Sequence, residues 1–292
     1  MENSSVRNYL TLILLALIWG SSFILIKRGL EVFDFIEVAT LRIVIAFISL
    51  IPFLPKAVKA VERKHYFPIV VTALLGNGIP AFLFAKAQTQ LDSALVGTLN
   101  ALVPLFTLIL GVYFFSARPS RANISGIFIG LLGAVFLAFN TAQEGITFNI
   151  YILLVVLATI FYATSINVIK KHLQGLNASS IAALAFLIIG PIATIYLFNT
   201  RILYQLQTHP DAYKALGYIA LLSVLGTSMA AIIFNRLLSR SSAIFVSSIT
   251  YLIPIVAIFW GVFDGEIITI YHALGFGIIL SGVYLVNSKE SI

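Results

Sequence analysis

The side chains able to do chemistry in this chain are few, and they sit inside apolar runs. Asn100 and Thr250 each stand four residues before a proline, Pro104 and Pro254, and the two pairs share one offset of 150 residues, from position 100 to position 250. Gly97, Thr107 and Gly111 accompany the first pair, and Ser247, Ala257 and Gly261 the second. At about 100° per residue each set falls within roughly 80° of helix circumference. Amides and hydroxyls in such a stripe can exchange hydrogen bonds with a solute. Groups that attack or shuttle protons are missing: there is no His-Glu-x-x-His helix, aspartate pair or serine–histidine set at depth. His65, His172, His209 and His272 all lie in connections or at the ends of runs. Cysteine is absent, which removes thiolate ligands and nucleophiles. No enzyme, metal or cofactor is expected.

Further polar positions within runs are Trp19, Ser22, Asn77, Tyr162, Asn167, Thr227, Ser228, Ser247 and Tyr251. With Asn100, Pro104, Thr250 and Pro254 they form the expected lining of a solute path. Asparagine is costly to leave in lipid, so Asn77 and Asn100 should face protein or a cavity. A lone serine or threonine is satisfied by its own i−4 carbonyl and marks a path less strongly. Trp19 stands mid-run, away from an interfacial belt, where its ring can wall a cavity or meet a cation. Pro104 and Pro254 each remove a backbone donor and should free a carbonyl at a bend. Gly76-Asn77-Gly78-Ile79-Pro80 should be another break in helicity.

Three charges are candidates for coupling or for anchoring substrate: Arg42, Glu37 and Lys27. Arg42 lies about 9 Å along its helix from the outer end. It either snorkels to that interface or meets a carboxylate of a substrate or of another span. Glu37 is not its partner, since five residues is about 140° around a helix. The central cavity is expected to be uncharged, which suits a neutral, amphipathic or zwitterionic solute.

The elements that position these residues follow from composition. The chain has 292 residues, 60% apolar and 10% charged, against roughly 25% charged in soluble domains. Nine uncharged runs are long enough to cross a bilayer, at 9–26, 66–85, 93–117, 122–143, 145–169, 173–200, 215–235, 241–263 and 267–288. A tenth, 36–55, is interrupted by Glu37 and Arg42. Pro52, Pro55, Pro119 and Pro210 are expected to stop helices in the connections. The first run is read as a span and not a cleaved leader, because Lys27-Arg28 follows where small residues would be needed.

Of the 18 Lys and Arg residues, twelve fall at the N-terminus, in even-to-odd connections or at Lys289, and five in the others, with Arg42 inside a span. That skew places both termini in the cytoplasm. The net charge of +7 therefore reflects orientation and not nucleic acid. The acidic residues Glu31, Asp34, Asp92, Glu144, Asp211, Asp264 and Glu266 gather on the outer side.

Other landmarks repeat near the same offset. Ser93-Ala94 answers Ser242-Ala243, Gly126 and Gly133 answer Gly275 and Gly282, and Gly76-Asn77-Gly78 answers Gly226-Thr227-Ser228. Trp19 with Lys27 is matched by Tyr162 with Lys170. The expected fold is an all-α integral membrane protein of ten transmembrane helices, as two inverted five-helix repeats at 1–143 and 144–292. An odd number of spans per half makes the copies inverted, the arrangement that supports alternating access. Most of the glycines should serve close helix packing.

These stretches resemble the EamA-type members of the drug/metabolite transporter superfamily, and the resemblance covers essentially the whole chain. It rests on Leu17-Ile18-Trp19-Gly20-Ser21-Ser22-Phe23 leading to Lys27, and on Leu41-Arg42. Ser93-Ala94 through Pro104 to Gly111, and Ser242-Ala243 through Pro254 and Gly261 to Glu266, complete it. The resemblance implies a carrier of amino acids, metabolites or drugs, with a cavity walled by the first, third, fourth, sixth, eighth and ninth spans. The family's closing Gly-Glu pair is present as Gly265-Glu266 but replaced by Phe115-Ser116 in the first half. Glu266 is accordingly expected to cap a helix end.

The expected function is a secondary transporter exporting small metabolites, amino acids or drug-like amphipathic solutes, in the bacterial plasma (inner) membrane. A passive facilitator or channel is the first alternative, and an intramembrane enzyme a distant second. Expected partners are a small-molecule substrate and the lipid bilayer, with no nucleic acid. Nothing in the residues fixes the oligomeric state, and a monomer suffices.

Overall fold

The computed structural model describes residues 2–115, 120–139, 149–241, 246 and 248–287, with the backbone alone for 2–6, 138–139, 248, 251 and 286–287. Every regular element among them is helical. The helices are α1 (Glu2–Leu30), α2 (Phe35–Leu50), α3 (Leu54–Ala60), α4 (Arg63–Ala73), α5 (Ile79–Ala87), α6 (Ser93–Leu99), α7 (Val103–Phe115) and α8 (Arg121–Phe139). There follow α9 (Tyr151–His172), α10 (Ala178–Leu197), α11 (Ile202–Thr208), α12 (Ala212–Leu221), α13 (Ala230–Leu238), α14 (Ile253–Phe263) and α15 (Ile270–Asn287).

Joined end to end, these form seven segments long and apolar enough to span a bilayer, Arg7–Leu30, Phe35–Ala60, Arg63–Ala87, Ser93–Phe115, Tyr151–His172, Ala178–Leu197 and Ala212–Leu238. Three shorter apolar helices, Arg121–Leu137, Ile253–Phe263 and Ile270–Leu285, take the fifth, ninth and tenth places. The protein is thus an all-helical membrane protein of ten spans. Exposed Phe114, Phe128, Ile195 and Phe263 coat its outside, an apolar surface suited to lipid.

Prolines shape the spans differently from expectation. Pro52 and Pro55 do not stop the second span. Each enters the first turn of a new helical piece, where a missing N–H costs nothing, so the segment continues to Ala60. The connection around 201–214 is also partly helical, as α11. Pro119 lies outside the described residues.

The breaks that matter come in matched pairs. Leu74–Gly78 and Leu222–Met229 are π-helical turns, which widen the third and eighth spans without ending them. The predicted break at Gly76–Pro80 is this wide turn. In the fourth span a 3-10 turn, Asn100–Leu102, leads into Pro104; in the ninth, Ser248–Tyr251 leads into Pro254. The carbonyl that Pro104 should free is not free, because the Val103 N–H donates to Asn100 O. The tighter turn supplies the donor that proline lacks.

Glycines act as packing surfaces. A Cβ at Gly282 would come 2.6 Å from Gly126 O and 2.7 Å from Gly130 Cα, so α8 and α15 meet backbone to backbone. Gly20 lets α1 close on Val256 of α14, and Gly190 lets α10 close on Phe47 of α2.

Candidate functional site

Between the halves lies a cavity of about 150 Å3. That holds on the order of ten waters, or a solute of similar size. The first, second, third, fourth, sixth, seventh, eighth and ninth spans all contribute to its wall.

Two of the polar wall residues, Trp19 and Asn77, are held at the π-helical turns. Trp19 Nε1 donates to Gly226 O at 2.9 Å, a carbonyl in the π-turn of the eighth span, and its ring tilts against Phe234 at 5.2 Å. Ser22 bonds back to Ile18 O at 3.0 Å. Its oxygen would lie 2.7 Å from a Cβ at Gly226, so glycine is needed where α1 meets this turn. Asn77 Nδ2 donates to Thr72 O at 3.1 Å, reaching five residues back within the other π-turn. Tyr162 stacks on Phe84 at 5.6 Å, and Phe84 meets Phe23 edge-on at 5.9 Å. Asn100 and Thr250 are both buried and both line the cavity, at equivalent places before the paired prolines.

Arg42 is the one charged side chain among the described lining residues. Its Nε donates to Thr227 Oγ1 at 2.8 Å. Thr227 stands about 20 Å along its span from Ala212 by helical rise. Arg42 therefore reaches toward the middle of the membrane and does not snorkel outward. The cavity is not uncharged, as the sequence had implied.

The other expected positions sit elsewhere. Pro104 and Pro254 are buried behind the wall. Asn167 Nδ2 donates to Thr107 O and Ala163 O, both at 3.0 Å, and ties the sixth span to the fourth. Ser228 accepts from Ser49 at 2.7 Å and ties the eighth span to the second. Glu37 accepts from the backbone N–H groups of Asp34 and Arg201, both at 3.0 Å, which caps α2 and fixes the 201 connection. Ser247 and the Tyr251 side chain lie outside the described residues. Phe84, Ser165, Thr72 and Asn235 line the cavity without having been singled out. Only their helical spacing from Gly76, Tyr162 and Thr227 pointed to them.

Lys27 stands at the outer mouth. Its Nζ meets Asp264 Oδ2 at 2.7 Å and Glu266 Oε1 at 2.8 Å, while Arg28 pairs with Glu31 and Asp264. Glu266 also accepts from Ser93 N at 3.0 Å, Ser93 Oγ at 2.7 Å and Ala94 N at 3.0 Å. It caps α6 from the far half of the chain. Burial pushes its carboxyl up, but Lys27, Ser93 and the two N–H groups outweigh this and hold it below the ordinary carboxylate range. At the end of α9, Lys170 donates to Leu238 O at 3.0 Å and Ser241 O at 2.6 Å.

The model of the EamA-like transporter family matches the chain twice, over residues 7–139 and 149–288. This chain belongs to the EamA-like transporter family. It is similar to a protein of Archaeoglobus fulgidus described as an uncharacterized transporter, 25% identical over 98% of this chain and 100% of that one. The Escherichia coli K12 inner membrane transporter YedA is 26% identical, over 94% and 88% of the two chains. A Salmonella typhimurium protein described as a probable amino-acid metabolite efflux pump is 24% identical, over 94% and 92%. A solved crystal structure superposes with a TM-score of 0.65 over 96% of each chain at 14% identity, which shows the shared fold. The EamA-like chain is a membrane transporter, multi-pass in the inner membrane, and its family is not one of enzymes.

Proposed function

We propose that the chain is a secondary carrier that exports small metabolites, amino acids or amphipathic solutes by alternating access. The two halves, 1–143 and 144–292, are inverted copies, and the solute passes through the cavity between them. One observation carries this reading: the wall is built from both halves at matched positions. Gly76 and Gly226, Asn77 and Thr227, Asn100 and Thr250, and Val103 and Ile253 all line it, each pair 150 residues apart. A site on the pseudo-two-fold axis of inverted repeats can be exposed to either side by rocking one half on the other. The π-turns and the 3-10 turns before Pro104 and Pro254 are places where the spans can flex. Trp19, Ser22, Asn77, Asn100, Tyr162, Thr227 and Thr250 are the residues assigned to the solute. The name of the Salmonella relative supports export of amino-acid metabolites.

The test is counterflow in proteoliposomes loaded with amino acids, purines or cationic dyes. Unlabelled solute on one side should drive labelled solute uphill on the other. Equilibration without such an overshoot identifies a passive facilitator. No flux for any class removes the transport reading for this cavity.

A further inference from the structure

We propose that Arg42 is an anion anchor in the cavity, and that the solute is a small amphipathic carboxylate carrying an N–H donor. This rests on the carrier reading only in taking the cavity as a solute site.

An arginine side chain is a planar guanidinium cation with several N–H donors. Among the described residues no carboxylate pairs with it, and no Asp, Glu, Lys or His lines the cavity. The hydrogen-bond partner of Arg42 among the described residues is a neutral hydroxyl. Nε is taken by the Thr227 hydroxyl, and Tyr162 lines the same cavity. The Nε bond to Thr227 fixes the plane of the fork, so a planar carboxylate can dock against its remaining N–H groups. Placing a cation at this depth is expensive, and the ion pairs elsewhere in the molecule show that carboxylates were available to neutralise one. Lys27 and Arg28 have theirs. Arg42 meets its counter-charge when a solute brings it.

A second group points the same way from another wall. Asn100 is buried, 7% exposed, and lines the cavity. Its Oδ1 accepts no hydrogen bond among the described residues. A buried acceptor left unpaired is unfavourable. That oxygen is closed off from the cavity as it stands, and turning the side-chain amide over would bring it to face an N–H group of the solute. Phe23, Phe84, Trp19 and Phe234 give the cavity broad ring surface beside its neutral polar groups. A wall whose described residues hold one cation and no carboxylate disfavours organic cations, even though the outer mouth is rich in acidic residues.

The experiment is calorimetric binding to the full chain in nanodiscs, with matched probes. These are leucine and phenylalanine, their carboxamides, which are cations, and the deaminated acids 4-methylpentanoate and 3-phenylpropanoate. The acids should bind at least tenfold more tightly than the carboxamides. Arg42→Gln should weaken the acids by about ten- to hundredfold, as expected for loss of a charge-assisted bond, and Arg42→Lys should recover part of this. Asn100→Leu should weaken the amino acids and leave the deaminated acids unchanged. Carboxamides binding as tightly as the acids, or no carboxylate binding at all, overturns the assignment whether or not any variant folds. A folded Arg42→Gln that binds the acids like the parent also overturns it. The predicted binding pattern without counterflow would retire the carrier reading and keep the anchor. Counterflow of cations undisturbed by Arg42→Gln would do the reverse.

Discussion

Replacing Glu266 by alanine should unlatch the outer end of the molecule. The carboxylate is 1% exposed and accepts four hydrogen bonds, from Lys27 Nζ, Ser93 Oγ and the N–H groups of Ser93 and Ala94. Removing one partner of a buried ion pair costs about 3–5 kcal/mol. Lys27 is 31% exposed and keeps Asp264 at 2.7 Å, so the low end of that range applies, about 3 kcal/mol. At roughly 2–4 °C per kcal/mol the melting temperature of the purified protein should fall by about 6–12 °C. A cycle with Lys27→Ala should give a coupling of on the order of 1 kcal/mol. The pH dependence has a definite sign. The folded carboxyl lies below its ordinary value of 4.5, so its stabilisation is complete above that value and lost as pH falls through the lower, folded one. Thermal melts of parent and variant should converge only below pH 4.5. A shift under about 2 °C at pH 7, with Lys27→Ala and Glu266→Ala additive, would refute the reasoning.

Three other outcomes follow from the geometry. Asn100→Leu should cut amino-acid counterflow while raising stability by about 1 kcal/mol, since it deletes a buried acceptor with no partner; Thr250→Leu should share the transport defect, and unchanged flux in both would remove them from the site. Gly282→Ala should cost about 1–3 kcal/mol in a thermal melt, because the added methyl meets the backbone of Gly126 and Gly130 and not a movable side chain. Lys170→Ala should loosen the inner mouth by deleting its bonds to Leu238 O and Ser241 O. Since the chain has no cysteine, Ser165→Cys can report this as about tenfold faster labelling by an impermeant maleimide in inside-out vesicles.

Where a property depends on local pattern, the sequence was informative. Apolar run length located ten spans, and the paired prolines located the two places where helices tighten. The capping role expected for Glu266 rested on the Gly265-Glu266 pair being replaced by Phe115-Ser116 in the first half, and the φ of +81° at Gly265 suits glycine. What was hidden depended on contacts across the fold. Nothing near Glu266 in sequence named Ser93 as the helix it caps. Arg42 was open between two directions along its own helix, and only the Thr227 hydroxyl, on a different span, decided between them. Asn167 and Asn77 look alike as asparagines in apolar runs. One ties two spans together and the other lines the cavity, a difference made by which helix each one faces. The π-turns left only a glycine-rich trace, because widening a helix by one residue disturbs the apolar period very little.

Alternating access between the inverted halves is most directly tested by measuring both mouths of one molecule. Nitroxide pairs at Thr89 and Tyr213 on the outer side, and at Lys64 and Arg236 on the inner side, can be introduced singly because there is no native cysteine. Pulsed electron–electron distance measurements in nanodiscs should give two populations for each pair. A bound carboxylate should shift the two pairs in opposite senses, the outer distance lengthening as the inner shortens or the reverse. A single unshifted distance at both mouths, or both mouths opening together, would contradict it.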